Sequence, residues 1–335
     1  MKKNKKFTFG VITYNHSNYI VEHLESIKFL IKNYGEDYSF KLVVADDGSR
    51  DNTVELINSW LSANEGLFEN QVIMGDGKNR GTCVNYTNIW PHIDSELFKI
   101  TAGDDVYSYL NIIEEANKLL GNDFISGVPL LLIDGVLSKS NSTVFNLVAT
   151  DKIYKKKKFL SRLRQISLIN TPSLIYNLKF VKDVSLYEFI RTFKVTEDFP
   201  MMLKIATSYS NVKFIQSNNV YIYYRRTAGS IYLVRAVDYD NDKLKVFNLM
   251  LSNEKSAVNR FLLKNRMMCF MSTSFIRKRI LNLNYYVYVT RIIFNLSQII
   301  KGFLGIKVDL EKHNEHYSNI KNQSMKFMEK LDTLK

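Results

Sequence analysis

The chain has 335 residues, of which 46% are hydrophobic, and its formal net charge at pH 7 is +13. This length predicts about two domains with sizeable cores, and 4 prolines and 14 glycines are too few for long disordered linkers. No long apolar segment follows the basic residues at positions 2–6, and no apolar run approaches ~18 residues. The sequence therefore predicts neither a secretory signal nor a membrane-spanning helix.

Apolar, β-rich segments alternate with helical patterns over the first hundred residues. Strands are predicted at 7–13, 40–45, 71–74 and from 97 to Gly103, and helices at 19–33, 53–63 and 81–90. Because both faces of these strands are apolar, the alternation predicts a parallel sheet with right-handed crossovers. Ligands of such sheets bind beyond the carboxyl ends of the strands.

Polar clusters follow three of these strands. They are Thr13-Tyr14-Asn15, Asp46-Asp47 and Asp104-Asp105. Since parallel strands end at the same edge of a sheet, we expect the three clusters to lie together there. Adjacent carboxylates repel each other unless a cation lies beside them, and Mg2+ or Mn2+ can bridge protein carboxylates to phosphate. A solvated turn after a strand is the alternative interpretation of Asp104-Asp105.

No glycine-rich phosphate loop follows the first strand. The sequence there has neither a G-x-G-x-x-G pattern nor a P-loop, so a dinucleotide dehydrogenase or an NTPase fits badly. Further along, a helix is predicted at 107–120 and strands at 129–133, 174–176, 213–215 and 221–224.

Two acids open a later predicted helix. Thr196 is the predicted N-cap, and Glu197 and Asp198 lie in the first turn. The helix dipole stabilises acids at this position, so a purely structural role is the alternative interpretation.

The chain resembles the family 2 glycosyltransferases, which use nucleotide-diphosphate sugars. Six segments match motifs of that family and occur in the family's order. They are VITYN (11–15), VADDGSRDNT (44–53), NRGTCVN (79–85), GDD (103–105), TED (196–198) and YRRTAGSI (224–231). The resemblance covers roughly residues 7–232. It implies an α/β protein with the GT-A fold, which is a Rossmann-like, mostly parallel sheet flanked by helices. Residues 1–232 would form the catalytic domain, and residues 233–335 a basic, mainly helical C-terminal region.

The resemblance also implies roles for the matching residues. Those of the nucleotide-sugar site would be Thr13, Tyr14, Asn15, Asp46, Asp47, Asn79, Arg80, Asp104, Arg225 and Arg226. Asp47 is preferred to Asp46 as the acceptor of the uracil imide N–H, which favours a UDP-sugar. Asp105 would bind Mn2+ or Mg2+, Asp198 would be the general base, and Glu197 would orient the acceptor.

One feature departs from the family pattern. The family often has a His near the Arg-rich segment, whereas 225–230 reads Arg-Arg-Thr-Ala-Gly-Ser. The diphosphate would then be bound by Arg225 or Arg226, whose guanidinium groups match phosphate well. The missing His also weakens the expected affinity for the metal.

The C-terminal region concentrates the positive charge. From residue 233 onward there are 18 Lys and Arg against 9 Asp and Glu, which predicts an anionic partner. Ile292, Leu296, Ile299, Ile300 and Phe303 share one helical face. Such a basic amphipathic region can lie on an anionic membrane surface, or it can pack on the catalytic domain or on a second subunit as a homo-oligomer. Nucleic-acid binding is not expected, because no reading motif accompanies the charge.

Together these features predict an inverting transferase in the cytoplasm, peripheral at the inner face of the cell membrane. The implied acceptor is a glycan or lipid-linked saccharide of a bacterial capsule, O-antigen or other surface polysaccharide. This interpretation requires Asp105 and Asp198 to open onto one cleft. The alternatives are a sugar-phosphate nucleotidyltransferase and a module that binds a nucleotide sugar without turnover.

Overall fold

The computed structural model of the chain describes residues 5–227 and 237–333. Eleven strands occur in these ranges: β1 (Lys5–Thr13), β2 (Tyr38–Asp46), β3 (Asn70–Met74), β4 (Leu97–Ala102), β5 (Val106–Tyr107), β6 (Phe124–Ser126), β7 (Leu130–Ile133), β8 (Val136–Ser138), β9 (Ile175–Tyr176), β10 (Phe214–Gln216) and β11 (Ile222–Arg226).

Fifteen α-helices occur in the same ranges: α1 (Ile20–Tyr34), α2 (Thr53–Ser62), α3 (Thr82–Asn88), α4 (Ile112–Asn117), α5 (Asn141–Tyr154), α6 (Phe159–Leu163), α7 (Leu178–Val181), α8 (Val184–Ile190), α9 (Asp198–Ser208), α10 (Val237–Ser252), α11 (Ala257–Met271), α12 (Phe275–Arg279), α13 (Leu283–Phe294), α14 (Leu296–Gly305) and α15 (Leu310–Thr333).

The central sheet has four parallel strands in the order β3-β2-β1-β4. Neighbouring residues of β2 point to opposite faces, as the strand geometry requires. Leu42 and Val44 pack with the apolar residues of α1 and α2, whereas Val43 and Ala45 pack with those of α3 and α9. Burial on both faces explains why β1, β2 and β4 are largely apolar, whereas the edge strand β3 is partly exposed and begins with two polar residues. The predicted parallel α/β sheet is confirmed.

Two smaller sheets extend this architecture. One has the order β5-β11-β7-β8 and the other β10-β6-β9, and both contain parallel and antiparallel pairs. The mostly parallel sheet with a helical C-terminal region agrees with the predicted GT-A fold.

The prediction of a helix at 107–120 is wrong for its first turn. Tyr107 belongs to β5, where it pairs with Ile222 of β11, and its hydroxyl lies 2.7 Å from the hydroxyl of Thr101. The helix is limited to α4, and its N-cap Asn111 accepts a hydrogen bond from the backbone N–H of Glu114. Tertiary pairing of a buried tyrosine has overridden the local helical pattern.

The C-terminal helices pack against the N-terminal half. Ile299 of α14 is buried with Leu147 and Val148 of α5, and Tyr317 of α15 donates a hydrogen bond to Glu22 of α1 (3.1 Å). The predicted boundary between residues 232 and 233 lies outside the described residues. Within the described ranges, no helix combines the length and hydropathy needed to cross a bilayer.

Candidate active site

The register of the central sheet brings the three polar clusters to one edge. Thr13 pairs with Asp46 at the ends of β1 and β2, and Ile12 pairs with Ala102 at the end of β4. Two backbone hydrogen bonds continue these pairings beyond the strands, from Asp47 N–H to the Thr13 carbonyl (2.9 Å) and from Gly103 N–H to the Ile12 carbonyl (2.8 Å). The predicted meeting of the clusters at the carboxyl edge is therefore confirmed.

Asp46 and Asp47 both hold backbone in place. Asp46 accepts hydrogen bonds from the N–H groups of Gly48 (3.1 Å) and Ser49 (2.8 Å), which closes the turn after β2. Asp47 accepts from the N–H groups of Arg80 (2.7 Å) and Gly81 (3.0 Å), so it fixes the loop that leads into α3. Burial raises the pKa of Asp47, and these two N–H donors oppose the shift.

The loop after β1 is tied to the turn after β2. Asn15 has a left-handed backbone (φ 54°), its N–H donates to the Ser49 hydroxyl (2.8 Å), and its side-chain oxygen accepts from the Arg50 N–H (2.8 Å). This arrangement leaves the ring of Tyr14 40% exposed at the edge of the sheet. The two segments form one rigid wall on which a flat ring system can lie.

Asn79 and Arg80 lie in an exposed loop. The guanidinium of Arg80 is already paired with Asp76, with Nη1 2.6 Å from one carboxylate oxygen. Contact with a ligand would therefore require Arg80 to share or exchange this partner.

Asp104 and Asp105 differ in environment. Asp104 is half-buried, whereas Asp105 is buried and accepts a hydrogen bond from the backbone N–H of Arg225 (2.9 Å). Burial, together with the charge of Asp104, raises the pKa of Asp105. A nearby cation would relieve this repulsion.

Arg225 is anchored within the protein. Its Nε donates to the carbonyl of Asp104 (2.7 Å), its Nη2 lies 2.5 Å from a carboxylate oxygen of Glu22, and its guanidinium stacks on Tyr19. Arg225 is buried, whereas Arg226 is exposed. Arg225 therefore stabilises the Asp104-Asp105 turn from the buried side of that turn.

The donor atoms around this turn fit a hard divalent cation. Such cations are commonly held by one or two carboxylates together with substrate phosphates, and Asp104 and Asp105 offer two carboxylates. The Thr13 hydroxyl and His16 Nδ1 both lie beside Gly103, buried and without a hydrogen-bond partner within the described ranges. The described residues contain no group of three or more His, Cys, Asp or Glu placed to hold a metal.

Asp198 begins α9, and Glu197 occupies the N-cap position without a side-chain capping bond. The predicted cap, Thr196, is wrong, because its hydroxyl donates to Asp242 of α10 instead (3.2 Å). Asp198 accepts a hydrogen bond from the N–H of Phe199 (2.6 Å). Burial and the charge of Asp198 raise the pKa of Glu197 to about 8.

Helix α3 joins the two parts of the site. At its start, Gly81 donates its N–H to Asp47, and Cys83 donates its N–H to the carbonyl of Lys194 (3.2 Å), which precedes the Asp198 loop. Gly81 has φ +91°, and a Cβ there would lie 2.7 Å from the Lys194 carbonyl oxygen. A continuous set of contacts therefore runs from the strand ends to the loop of Asp198.

Residues 8–168, just under half of the chain, match the family model described as Glycosyl transferase family 2. Residues 8–168 therefore form a region of the family 2 glycosyltransferase type. The matched region contains the first four segments of the predicted motif set. Asp198, Glu197, Arg225 and Arg226 of this glycosyltransferase lie beyond it. No curated protein sequence matches the chain significantly.

Solved structures of glycosyltransferases share the fold. The structure of S. aureus TarS 1-349 in complex with UDP-GlcNAc is 15% identical, with a TM-score of 0.55 over 96% of this chain and 92% of that chain. The mannosyltransferase PcManGT from Pyrobaculum calidifontis, in complex with GDP-Man and Mn2+, is 12% identical, with a TM-score of 0.52 over 96% and 86%. A longer S. aureus TarS structure is 17% identical, with a TM-score of 0.52 over 81% of this chain and 44% of that chain. The glycosyltransferase thus spans less than half of the longer TarS chain.

Three residues of this glycosyltransferase site were not found from the sequence. Glu22 is buried on α1 together with the polar residues His23, Glu25 and Ser26, so its position did not stand out in the helical pattern. Asp242 and Lys243 lie in the C-terminal region beyond the recognised segments, and no motif identified them. Only the packing of α10 against the Asp198 loop reveals their place.

Proposed function

We propose that this glycosyltransferase moves a sugar from a UDP-sugar to a hydroxyl of a glycan acceptor, with inversion at the anomeric carbon. The observation that carries the proposal is the continuous contact from the acidic strand ends, through α3, to the loop of Asp198. The related fold of TarS with UDP-GlcNAc and of PcManGT with GDP-Man and Mn2+ supports nucleotide-sugar chemistry.

The donor would lie at the carboxyl edge of the central sheet. Tyr14 offers an exposed aromatic face for the base, and Thr13 and Asn15 lie beside it on the same wall. Asp47 positions the 80–81 loop, and its carboxylate is the group that we assign to the uracil imide N–H. Asn79 and Arg80 would border the ribose and diphosphate.

Asp105 and Asp104 would hold Mn2+ or Mg2+ together with the donor diphosphate. This ion would supply charge neutralisation for the departing UDP, and Arg226, exposed at the end of β11, would contact the same diphosphate. Because the guanidinium of Arg225 is engaged by Glu22 and the Asp104 carbonyl, we assign it a positioning role.

Asp198 would act as the general base. It takes the proton from the acceptor hydroxyl as that oxygen forms a bond to the anomeric carbon, and the bond from that carbon to UDP breaks with its electron pair leaving on UDP. One in-line displacement converts an α-linked donor into a β-linked product. Glu197, whose pKa is raised to about 8, stays protonated at neutral pH and can donate a hydrogen bond to the acceptor.

The test compares Asp198→Asn with wild type in a panel of UDP-sugars and glycan acceptors with Mn2+. We expect transfer to fall by a factor of about 100 or more, which is typical for loss of a general base, while UDP affinity measured by calorimetry is unchanged. Asp238→Asn, which changes an exposed acid on α10, is the matched control. Unchanged transfer by Asp198→Asn would remove Asp198 as the base.

The same assay separates the alternative functions. Release of pyrophosphate from UTP would indicate a sugar-phosphate nucleotidyltransferase. Binding of UDP-sugars with no transfer to any acceptor would indicate a non-catalytic binding module.

We also propose that the C-terminal helices dock the enzyme on an anionic membrane, where a lipid-linked acceptor of a bacterial surface polysaccharide would be presented. Residues 255–308 contain ten Lys and Arg and no Asp or Glu. Over the same residues, α11 to α14 expose many apolar side chains, and these define the basic apolar surface: Phe261, Met268, Phe275, Ile276, Ile280, Tyr286, Ile293 and Phe294. Positive charge beside exposed aromatic and aliphatic groups complements anionic lipid.

Sedimentation with vesicles tests this docking. We expect the enzyme to bind phosphatidylglycerol-containing vesicles, to bind neutral phosphatidylcholine vesicles weakly, and to lose binding when Ile293 and Phe294 are both changed to Ser. Leu120→Ser removes an equally exposed apolar group (77% exposed) outside this surface and is the control. If the double variant instead converts a dimer to a monomer in analytical ultracentrifugation, the surface serves a homo-oligomer.

A further inference from the structure

A cavity of about 450 Å³ lies within the C-terminal region, close to the Asp198 loop. Its walls come from the start of α9 and from α10, α11, α12 and the beginning of α13. A volume of this size suits a small ligand or a ligand head group. None of the nucleotide-sugar residues assigned above lines it.

The chemistry of the cavity is cationic. Lys243, Arg266, Lys278 and Arg279 line it, and its described lining includes no Asp or Glu. No carboxylate of the described ranges lies within ion-pair distance of the Lys243 ammonium, which instead lies over the ring of Phe199 at 5.4 Å from the ring centre. Four cations that line one cavity, with no acid among the described lining residues, create a positive potential that favours an anion.

The cavity adjoins the catalytic loop. Phe199 follows Asp198 directly and forms part of the wall, and Lys243 follows Asp242, which holds residues 194–196 through their backbone N–H groups. Burial lowers the pKa of Lys243, and the charges of Asp198 and Asp242 oppose this shift, which places the ammonium in the field of both acids. A ligand in the cavity would therefore lie beside the group assigned as general base.

We propose that this cavity binds the phosphate or diphosphate group of the acceptor. The assignment of this group to the acceptor rests on the proposed transfer reaction. The existence of an anion-binding site rests on the cavity alone. Phosphate fits because Arg279 offers a guanidinium fork and Lys243 and Lys278 offer ammonium donors. Arg266 contributes mainly its charge, since its Nη1 donates to the carbonyl of Gln165 (3.0 Å). The aromatic wall of Phe199 and Tyr285 would cover the sugar or alkyl group attached to that phosphate.

Calorimetry on the full chain, with saturating UDP and excess Mg2+, tests the site. The probes are inorganic phosphate, inorganic pyrophosphate, isopentenyl diphosphate and the uncharged 3-methyl-3-buten-1-ol. We expect the anions to bind and the alcohol not to bind. Tighter binding of isopentenyl diphosphate than of pyrophosphate would assign the site to a lipid-linked diphosphate, and equal binding would assign it to phosphate alone.

Lys278→Gln and Arg279→Gln should each weaken diphosphate binding about tenfold, because each removes one charge-assisted contact. Arg277→Gln lies on the same helix, does not line the cavity and should bind as wild type. UDP affinity and the thermal unfolding midpoint should be equal in all four proteins. Equal diphosphate affinity in the cavity variants and wild type, or binding of the alcohol as tight as that of the diphosphate, would overturn the site. Failure of wild type to bind UDP would contradict the proposed transfer. The diphosphate measurement would still decide whether the cavity binds an anion.

Discussion

Asp242 accepts a hydrogen bond from the backbone N–H of Thr196 (3.1 Å) and another from the Thr196 hydroxyl (3.2 Å). The same carboxylate accepts from the N–H groups of Val195 (2.9 Å) and Lys194 (3.1 Å). Successive N–H groups that converge on one anion fix the backbone that bears them. A helix of the C-terminal region thereby determines where Asp198 lies.

Asp242→Asn should impair catalysis through position rather than through donor binding. The amide keeps one acceptor oxygen but turns an N–H₂ donor toward backbone donors, and a charge-assisted hydrogen bond contributes about 1.5–3 kcal/mol. We expect kcat to fall about tenfold or more while UDP affinity, measured by calorimetry, stays at the wild-type value. Asp238→Asn, exposed on the same helix, is the matched control. A wild-type kcat for Asp242→Asn would show that the loop holds its position without this carboxylate.

Gly48→Ala should disrupt the nucleotide wall. Gly48 has φ +77°, and a Cβ there would lie 2.8–2.9 Å from backbone atoms of Gly77 and Lys78. Gly66 has almost the same backbone angle (φ +79°) but open space around it, so Gly66→Ala isolates the backbone strain of about 1 kcal/mol. We expect Gly48→Ala to lower the free energy of unfolding by more than Gly66→Ala and to weaken UDP binding, measured by urea unfolding and calorimetry. Equal effects of the two substitutions would show that the 77–78 loop moves away freely.

The parallel sheet and its acidic edge could be predicted because the signals are local. The strands β1, β2 and β4 are largely apolar and buried on both faces. Thr13 and Asp46 are the last residues of β1 and β2, and Asp104 lies two residues beyond the end of β4. Once the strands are known to be parallel, chain topology alone brings their ends together.

The contacts that support this edge could not be predicted from local signals. Arg225 and Glu22 are 203 residues apart. Nothing in the sequence around either residue identifies the other as its partner. Tyr107 has a helical neighbourhood but becomes a strand because β11 is available to pair with it. The hydrogen bonds that the Asp242 carboxylate accepts depend on how α10 packs against the Asp198 loop. The sequence composition does not predict that packing.

Glu22→Gln should destabilise the fold through the charge that it leaves behind. Glu22 and Arg225 are both buried, and Tyr317 donates to the same carboxylate oxygen. Removing one partner of a buried pair leaves an uncompensated charge and costs about 3–5 kcal/mol when burial is complete. We expect a loss of about 3 kcal/mol in urea unfolding.

Asp76→Asn provides the matched comparison for this loss. It breaks the pair of Asp76 with Arg80, whose side chains are 52% and 44% exposed, and it should change the free energy of unfolding far less than Glu22→Gln because solvent screens an exposed pair. Similar costs for Glu22→Gln and Asp76→Asn would show that the Glu22–Arg225 pair is not a structural anchor.

Glu197→Gln should stabilise the protein increasingly as the pH rises from 5 to 8. The pKa of Glu197 is raised from 4.5 to about 8 in the folded state, so between these values the folded chain holds a proton that the unfolded chain has released. Stability in wild type therefore falls as pH rises through this window, whereas Gln is neutral in both states. Thermal unfolding midpoints of wild type and Glu197→Gln at pH 5, 6.5 and 8 measure the difference, with Glu188→Gln, an exposed acid on α8, as control. Parallel midpoint curves for wild type and Glu197→Gln would contradict a raised pKa, and with it the assignment of Glu197 as a protonated donor to the acceptor.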